Sequence, residues 1–402
     1  MTELTNRRVL VAGAGIAGLT TAYWLSEYGF EPTVVELRPA LSAGGQTVDV
    51  RDQSLEVVRR MGVEDEMRKH NDKVEGMRLV DAENRCLATT DMRGIRSQYG
   101  SIDIPRPDAI AILYALVRNR AECVFGDSIR SLRQHDTGVA VSFEHAPERE
   151  FDLVIGADGL HSTVRRFAFG APDGYTRFLR HYVAFGDADP ALGPEGQMTL
   201  YNTPGRMVGV YHGRGSGQVK GYFAFHSAKP LPYDPRDPAD QKRLLAAAFA
   251  DVTTWFVPDL LASALADPDL YFDAMSQIRM PSWSTGRIAL VGDAAYCAAP
   301  VSAAGAELAL TGGYVLAGEL AAAAGDHRTA FARYQHQQRP LVERKQRVDA
   351  NLRFMVPRTR RGIWTRNTIA RLPLLKTVAG LANIMAPKTT APLPHYELPR
   401  SS

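Results

Sequence analysis

The sequence predicts an α/β fold: a discontinuous, doubly wound parallel sheet with an antiparallel sheet inserted into it and helices at the C-terminal end. Three segments predict it. The first is Arg8-Val-Leu-Val-Ala-Gly13-Ala-Gly15-Ile-Ala-Gly18-Leu, followed by a second apolar run ending on Glu36. The second is Phe151-Asp-Leu-Val-Ile-Gly156-Ala-Asp158-Gly159, and the third is Arg287-Ile-Ala-Leu-Val-Gly292-Asp293. Each reads as a buried strand whose carboxyl end carries glycine and acid, the end where doubly wound sheets hold ligands.

Residues 7–38 read as a β-α-β unit. Gly13 permits a tight turn, Gly15 lets the backbone approach a pyrophosphate, and Gly18 lets helix and strand pack closely. The helix start at Ile16 and Ala17 offers free N–H groups and partial positive charge to phosphates. Glu36, next to Leu37, stands where a carboxylate would hold an adenosine ribose. This part of the chain is therefore predicted to be Rossmann-like.

Composition narrows the classes. Hydrophobic residues make up 45% and charged residues 23%, as in an ordinary globular protein. A net charge of +3 without an aromatic-basic signature disfavours nucleic acid. Cys86, Cys123 and Cys297 are scattered and odd in number, which argues against a disulfide framework or zinc site and favours a reducing cytoplasm. No apolar stretch is long enough to span a bilayer, and the chain runs directly into its first strand, so a soluble, cytoplasmic protein without a cleaved signal is expected.

Residues 54–61 and 106–120 read as helices, the second with Ile110, Leu113 and Leu116 at helical spacing. From Arg180 to Phe225 the chain turns rich in Tyr, Val, Phe and Thr, broken by Asn202-Thr-Pro-Gly205 and Gly213-Arg-Gly-Ser-Gly217. That pattern predicts antiparallel strands, extended by residues 74–103, and 236–266 read as helices. The expected division is a nucleotide-binding domain of 1–73, 104–173 and 279–328, a substrate domain of 74–103 and 174–278, and a helical segment of 329–402. That last segment is basic, with a break at Pro357. It reads as a bridging helix with a solvated face, or as a surface-docking hairpin using Ile363, Trp364, Leu372 and Leu375.

Taken together, the motifs Gly13-x-Gly15-x-x-Gly18 with Glu36, Gly156-Ala-Asp158-Gly159, and Gly292-Asp293-Ala-Ala with Pro300 resemble the FAD-dependent monooxygenases of the para-hydroxybenzoate hydroxylase type. Gly44-Gly45-Gln46-Thr-Val-Asp49-Val-Arg51 and the segment from Gly292 to Ser302 look closest to the tetracycline-inactivating and antibiotic-tailoring branch. The resemblance covers residues 7 to about 340. It implies an oxidoreductase with bound FAD and NADPH or NADH as a transient reductant. Such an enzyme oxygenates a bulky aromatic or polyketide-like metabolite through a flavin C4a-hydroperoxide, as in antibiotic biosynthesis. It implies that Asp293 meets the ribityl chain, that Arg38, Gly45, Gln46 and Arg106 border the cofactor, that Asp158 shapes the pyrophosphate and nicotinamide sites, and that Pro300, Ala303, Ala304 and Gly305 start a helix aimed at the isoalloxazine. No catalytic acid or base and no metal ligand is singled out; a monomer and a homodimer fit equally.

The resemblance departs at three positions. Tyr296 stands where many members have His, Ala303 where glycine is common, and Glu307 where a small polar residue meets the flavin edge. Glu307 would repel a reduced flavin if ionised nearby, bond to it if protonated, turn to an arginine, or face outward. Two other readings therefore stay open: a redox-neutral cyclase or rearrangement enzyme with structural FAD, and an antibiotic-sequestering binding protein. Cys297 reads as a packed thiol, and Tyr201, Tyr211, His212, Tyr222 and His226 as residues of which alternate ones face a substrate.

Overall fold

The computed structural model describes residues 4–42, 44–92, 100–171, 174–214, 217, 219–235, 237–371 and 392–398. Strand β1 (Arg8–Ala12), helix α1 (Ile16–Glu27) and strand β2 (Glu31–Glu36) follow one another as the first motif requires. Val9, Leu10 and Val11 have no exposed surface, because the sheet is covered on both faces and so needs an unbroken apolar run.

β1 and β2 lie in a six-stranded sheet with Ser284–Thr285, Ile288–Leu290, Leu153–Gly156 and Glu122–Phe125. All pairings are parallel except that of the edge strand Ser284–Thr285. Val9, Leu10, Val11 and Ala12 stand opposite Leu153, Val154, Ile155 and Gly156, so the first two motifs end side by side. Val154, Ile155 and Gly156 pair with Ile288, Ala289 and Leu290, which brings the third motif to the same edge. Gly13 and Gly18 are fixed sterically: a Cβ on Gly13, at φ +104°, would come within 2.6 Å of the Ala157 carbonyl, and one on Gly18 would strike the Gly13 carbonyl.

The second large sheet has seven strands in the order Tyr271–Ile278, Thr176–Asp187, Val219–His226, Arg206–His212, Gln197–Thr203, Gly76–Val80 and Cys86–Asp91. It is antiparallel as expected, apart from one parallel contact between Gln197–Thr203 and Gly76–Val80. Side chains alternate across it. Tyr182, Ala184, Val208, Phe223 and Phe225 pack beneath the helices Pro238–Phe249 and Val257–Ala266. Val183, Phe185, Met207 and Ala224 face the other way, towards Val348, Leu352 and Val356.

The C-terminal part forms helices His327–Lys345, Asp349–Met355 and Arg360–Arg371. The chain breaks before Pro357 as predicted and also between Lys345 and Asp349, whereas Pro340 is accommodated within a continuous helix. Leu372 and Leu375 lie outside the described residues. Among the described residues no helix is long and apolar enough to cross a membrane.

Candidate active site

The carboxyl ends of β1, β2 and Ile288–Leu290 open into one cavity of about 920 Å³, with the seven-stranded sheet as its far wall. α1 begins at Gly15 without a side-chain cap, and the helix Gly305–Ala322 begins likewise at Ala304. Gly15 and Gly305 both line the cavity, so two helix N-termini direct N–H groups and positive dipole ends at one chamber.

Glu36 fixes the glycine turn. Ala14 N–H donates to its Oε2 at 2.8 Å and Arg38 N–H to its Oε1 at 2.9 Å. Arg106 opens the helix Arg106–Val117, and its backbone N–H donates to Gln46 O at 3.3 Å. Its stem crosses Gly45, where a Cβ would sit 3.1 Å from Cδ, and its guanidinium reaches towards Gly15 and donates to Ser42 Oγ at 3.4 Å. Burial lowers the Arg106 proton affinity, opposed by Tyr271, Asp293 and Glu36; guanidinium chemistry keeps it cationic.

Asp293 lies at the start of a short helix, its side chain exposed in the cavity and ringed by the cavity's walls. Enclosure raises its pKa, against the opposing pull of the Cys297 thiol, Arg106 and Arg165. Cys297 is buried, donates to Ser276 O at 3.5 Å and borders the cavity, with its own pKa pushed well up by burial. Such a thiol is no nucleophile.

On the far wall, Phe185, Met198, Met207, Tyr211, Tyr222 and Met275 face inwards. Burial raises the pKa of Tyr211 and Tyr222, so both phenols stay protonated at neutral pH. Tyr211 donates to Asp72 O at 2.7 Å. The other three sheet candidates point elsewhere: Tyr201 pairs with Thr254, His212 bonds to Gly193 O, and His226 packs edge-on against His181. Sequence reading did not anticipate a bridge across the cavity. His161 Nε2 lies 2.9 Å from Asp273 Oδ2, and Tyr233 donates to Asp273 Oδ1 at 2.8 Å.

A family model described as an FAD binding domain matches residues 6–348. The chain belongs to that family. A flavin-dependent monooxygenase of Legionella longbeachae is 33% identical over 401 residues, covering 98% of this chain and 99% of the relative. An uncharacterized protein of Mycobacterium tuberculosis is 39% identical over 343 residues, 85% of this chain and 92% of its own length. Among solved structures, tetracycline destructase Tet(55) is 34% identical with a TM-score of 0.81, covering 97% of this chain and 99% of that one. The protein is an FAD-dependent monooxygenase of the para-hydroxybenzoate hydroxylase type, and FAD is its cofactor.

The cavity of this monooxygenase fits that cofactor. A Cβ on Gly15 would find nothing nearer than the Arg106 guanidinium at 3.9 Å, which leaves a backbone cradle between a cation and a free helix N-terminus. Of the residues singled out from sequence, Gly15, Glu36, Leu37, Arg38, Gly45, Gln46, Arg106, Asp293, Pro300, Ala303 and Gly305 line the cavity. Gly13, Ile16, Ala17, Gly18, Asp158 and Ala304 stand behind its wall. Asp158 accepts from Ser162 Oγ at 2.5 Å, Thr163 N at 2.7 Å and Val164 N at 3.1 Å, so its carboxylate holds the turn into the helix Thr163–Phe169. Tyr296 is buried against Tyr334, 3.0 Å between hydroxyls. Glu307 neither faces outward nor lines the cavity; it is fully buried and turned towards Lys345 and Arg51.

Proposed function

We propose that the protein uses NADPH or NADH and O2 to oxygenate a bulky aromatic or polyketide-like secondary metabolite. The observation that carries this reading is the single cavity that joins the glycine turn and Asp293 to a wall of methionines and neutral phenols. When bound, FAD supplies the redox and oxygen-activating chemistry; the chain binds, orients and excludes water. Gly15, Glu36, Arg38 and Arg106 hold the adenosine and pyrophosphate, with Ile16 and Ala17 placing the helix N–H groups. Gly45, Gln46 and Asp293 line the ribityl path, and Pro300 to Gly305 form the bed for the ring.

The assignment implies a discontinuous nucleotide-binding domain of 1–73, 104–173 and 279–328, covered by 74–103 and 174–278 and bridged by 329–402. Met198, Met207, Met275 and Met355 give a soft, polarizable wall suited to a wide flat ligand. Tyr222 and Tyr271 remain protonated and can donate to a carbonyl or enol. The similarity to a tetracycline destructase supports a polyketide as substrate class. The redox-neutral reading drew on Ala303 and Glu307; Ala303 lines the cavity, whereas Glu307 is turned away from it towards Lys345.

Anaerobic titration with NADPH in the presence of tetracycline-like and anthraquinone polyketides tests the proposal. Flavin bleaching followed by reoxidation in air with an oxygenated product is expected. Product formation that persists without NAD(P)H and O2 would replace it with the redox-neutral reading.

A further inference from the structure

Nine of the chain's 47 lysines and arginines, but one of its 44 acids, fall in residues 350–402. A chain of net charge +3 thus consists of a body acidic by five charges and a C-terminal segment basic by eight. From Ala350 to Arg371 there are six arginines and no acid. So sharp a segregation points to an anionic partner for one end of the molecule.

The helix Arg360–Arg371 is held against the substrate sheet by its inner face. Buried Arg366 donates to Asn202 Oδ1 at 2.9 Å and to Phe354 O at 3.3 Å, and Arg371 Nε donates to Leu87 O at 2.7 Å. The outer face is thereby presented rigidly. Arg360, Arg361 and Trp364, at spacings of three and four, share that face and are all exposed. Trp364 is 69% exposed, the most open of the large hydrophobic residues among those described. Phe354 is 43% exposed and lies beside the helix, with the Arg366 guanidinium 5.7 Å from its ring centre. Arg353 and Arg358 are exposed next to it.

Indole rings are most stable at the boundary between water and hydrocarbon, and basic side chains beside them reach anionic headgroups while their aliphatic stems stay in the interface. We infer that this outer face is a docking element for an anionic lipid surface. Trp364 and Phe354 enter the headgroup layer, and Arg353, Arg358, Arg360 and Arg361 meet lipid phosphates. The body carries a net negative charge, so the basic segment is the end that such a surface attracts. Met355, next to Phe354 in the chain, lines the cavity, which places the docking face beside the chamber wall. The inference does not depend on the chemistry proposed above.

Flotation of the full-length flavoprotein with phosphatidylcholine vesicles, with and without phosphatidylglycerol, tests it. Binding to the anionic vesicles alone is expected, weakening as salt shortens the screening length. The pair Arg360→Ser and Arg361→Ser should lower the partition coefficient by about fivefold for each charge removed. Trp364→Ser should weaken binding while leaving its salt dependence in place. All three positions are solvent-exposed, and an unchanged flavin spectrum and thermal midpoint would establish that the variants are folded. Equal binding to both vesicle types, no binding, or binding untouched by the arginine substitutions would overturn the inference. Retention by DNA alone, or self-association abolished by these substitutions without vesicle binding, would assign the face to those partners instead.

Discussion

Glu307 Oε2 and Lys345 Nζ stand 2.5 Å apart, with the carboxylate wholly buried and the lysine side chain 15% exposed. The pair ties the first turn of the cavity-facing helix Gly305–Ala322 to the last turn of His327–Lys345. Arg51 adds a second cation, its Nε 4.0 Å from Glu307 Oε2 and its NH2 group 3.5 Å from Ala303 O. Two helices and the loop between Pro300 and Gly305 are thus joined through one buried carboxylate.

The two halves of this pair are unequal, so their removal should differ. Lys345→Met leaves Glu307 buried with only Arg51 near, and stranding a buried charge costs about 3–5 kcal/mol. Glu307→Gln leaves Lys345 partly exposed and still 3.7 Å from Asp52, and a cost of about 1–2 kcal/mol follows. Urea unfolding of both variants checks the ranking, and an equal or reversed order would refute it.

The same carboxylate predicts a pH dependence. Burial raises the Glu307 pKa above its ordinary 4.5, and Lys345 pulls it back only in part. A carboxyl with a raised folded-state pKa keeps its proton longer in the native state. Its contribution to stability is complete below 4.5 and is lost as pH rises through the raised value. Without Lys345 that value climbs further. The Lys345→Met deficit should therefore grow from acid towards neutral pH, and adding Glu307→Gln should flatten it. Thermal midpoints across that range measure this, and a deficit independent of pH would disprove it.

What was legible in the sequence follows from how local each constraint is. Gly13 and Gly18 are forced by backbone contacts within one β-α-β unit, so a short motif disclosed them. The parallel pairing of Gly76–Val80 with Gln197–Thr203 joins segments far apart in sequence, and alternation alone carries no register over that span. Glu307 was visible as an oddity, but Lys345 lies 38 positions onward and only packing selects it. Nothing in the sequence singled out the methionines of the cavity; Met198, Met207 and Met275 are brought to one wall only by the sheet, which joins strands distant in sequence. Asp158 looked like a ligand-facing acid, although Ser162 followed by helix-forming residues already carried the signal for the turn that its carboxylate completes.

Ala303 has φ +49°, in the left-handed region, between the loop and the helix that faces the cavity. A side chain there costs about 1–2 kcal/mol, partly offset because glycine loses more entropy on folding. Ala303→Gly should therefore raise stability by about 1 kcal/mol or less. A thermal midpoint that falls would indicate that the Ala303 methyl makes packing contacts outweighing its strain.

Asp293 is the carboxylate most directly open to the cofactor side of the cavity. Loss of hydrogen bonds to a charged acceptor is worth about 1.5–3 kcal/mol, so Asp293→Ala should weaken FAD binding by roughly tenfold to more than a hundredfold. The apoprotein should remain folded, because the side chain borders the open cavity and its partners are the Cys297 thiol and two arginines rather than the strand backbones. Fluorescence titration with FAD reads the change directly; unaltered affinity would remove Asp293 from the ribityl path.

Far from the cavity, the C-terminal residues 392–398 close over the other end of the Gly305–Ala322 helix. Tyr396 donates to Glu319 Oε1 at 2.8 Å, and its ring occupies the space that a side chain at Gly318 would need. Tyr314 and Arg60 both donate to Pro394 O at 2.8 Å. Glu319 lies 14 residues from the helix start, roughly 21 Å along its axis, so this contact should affect stability without affecting the cofactor. Tyr396→Ala removes a half-buried aromatic and uncovers Glu319, at an expected cost of about 2–3 kcal/mol. Gly318→Val should act alike by evicting the ring, and combining the two should cost less than their sum, because both abolish one contact. Strict additivity, or loss of FAD affinity in step with stability, would show that the segment does more than latch the helix.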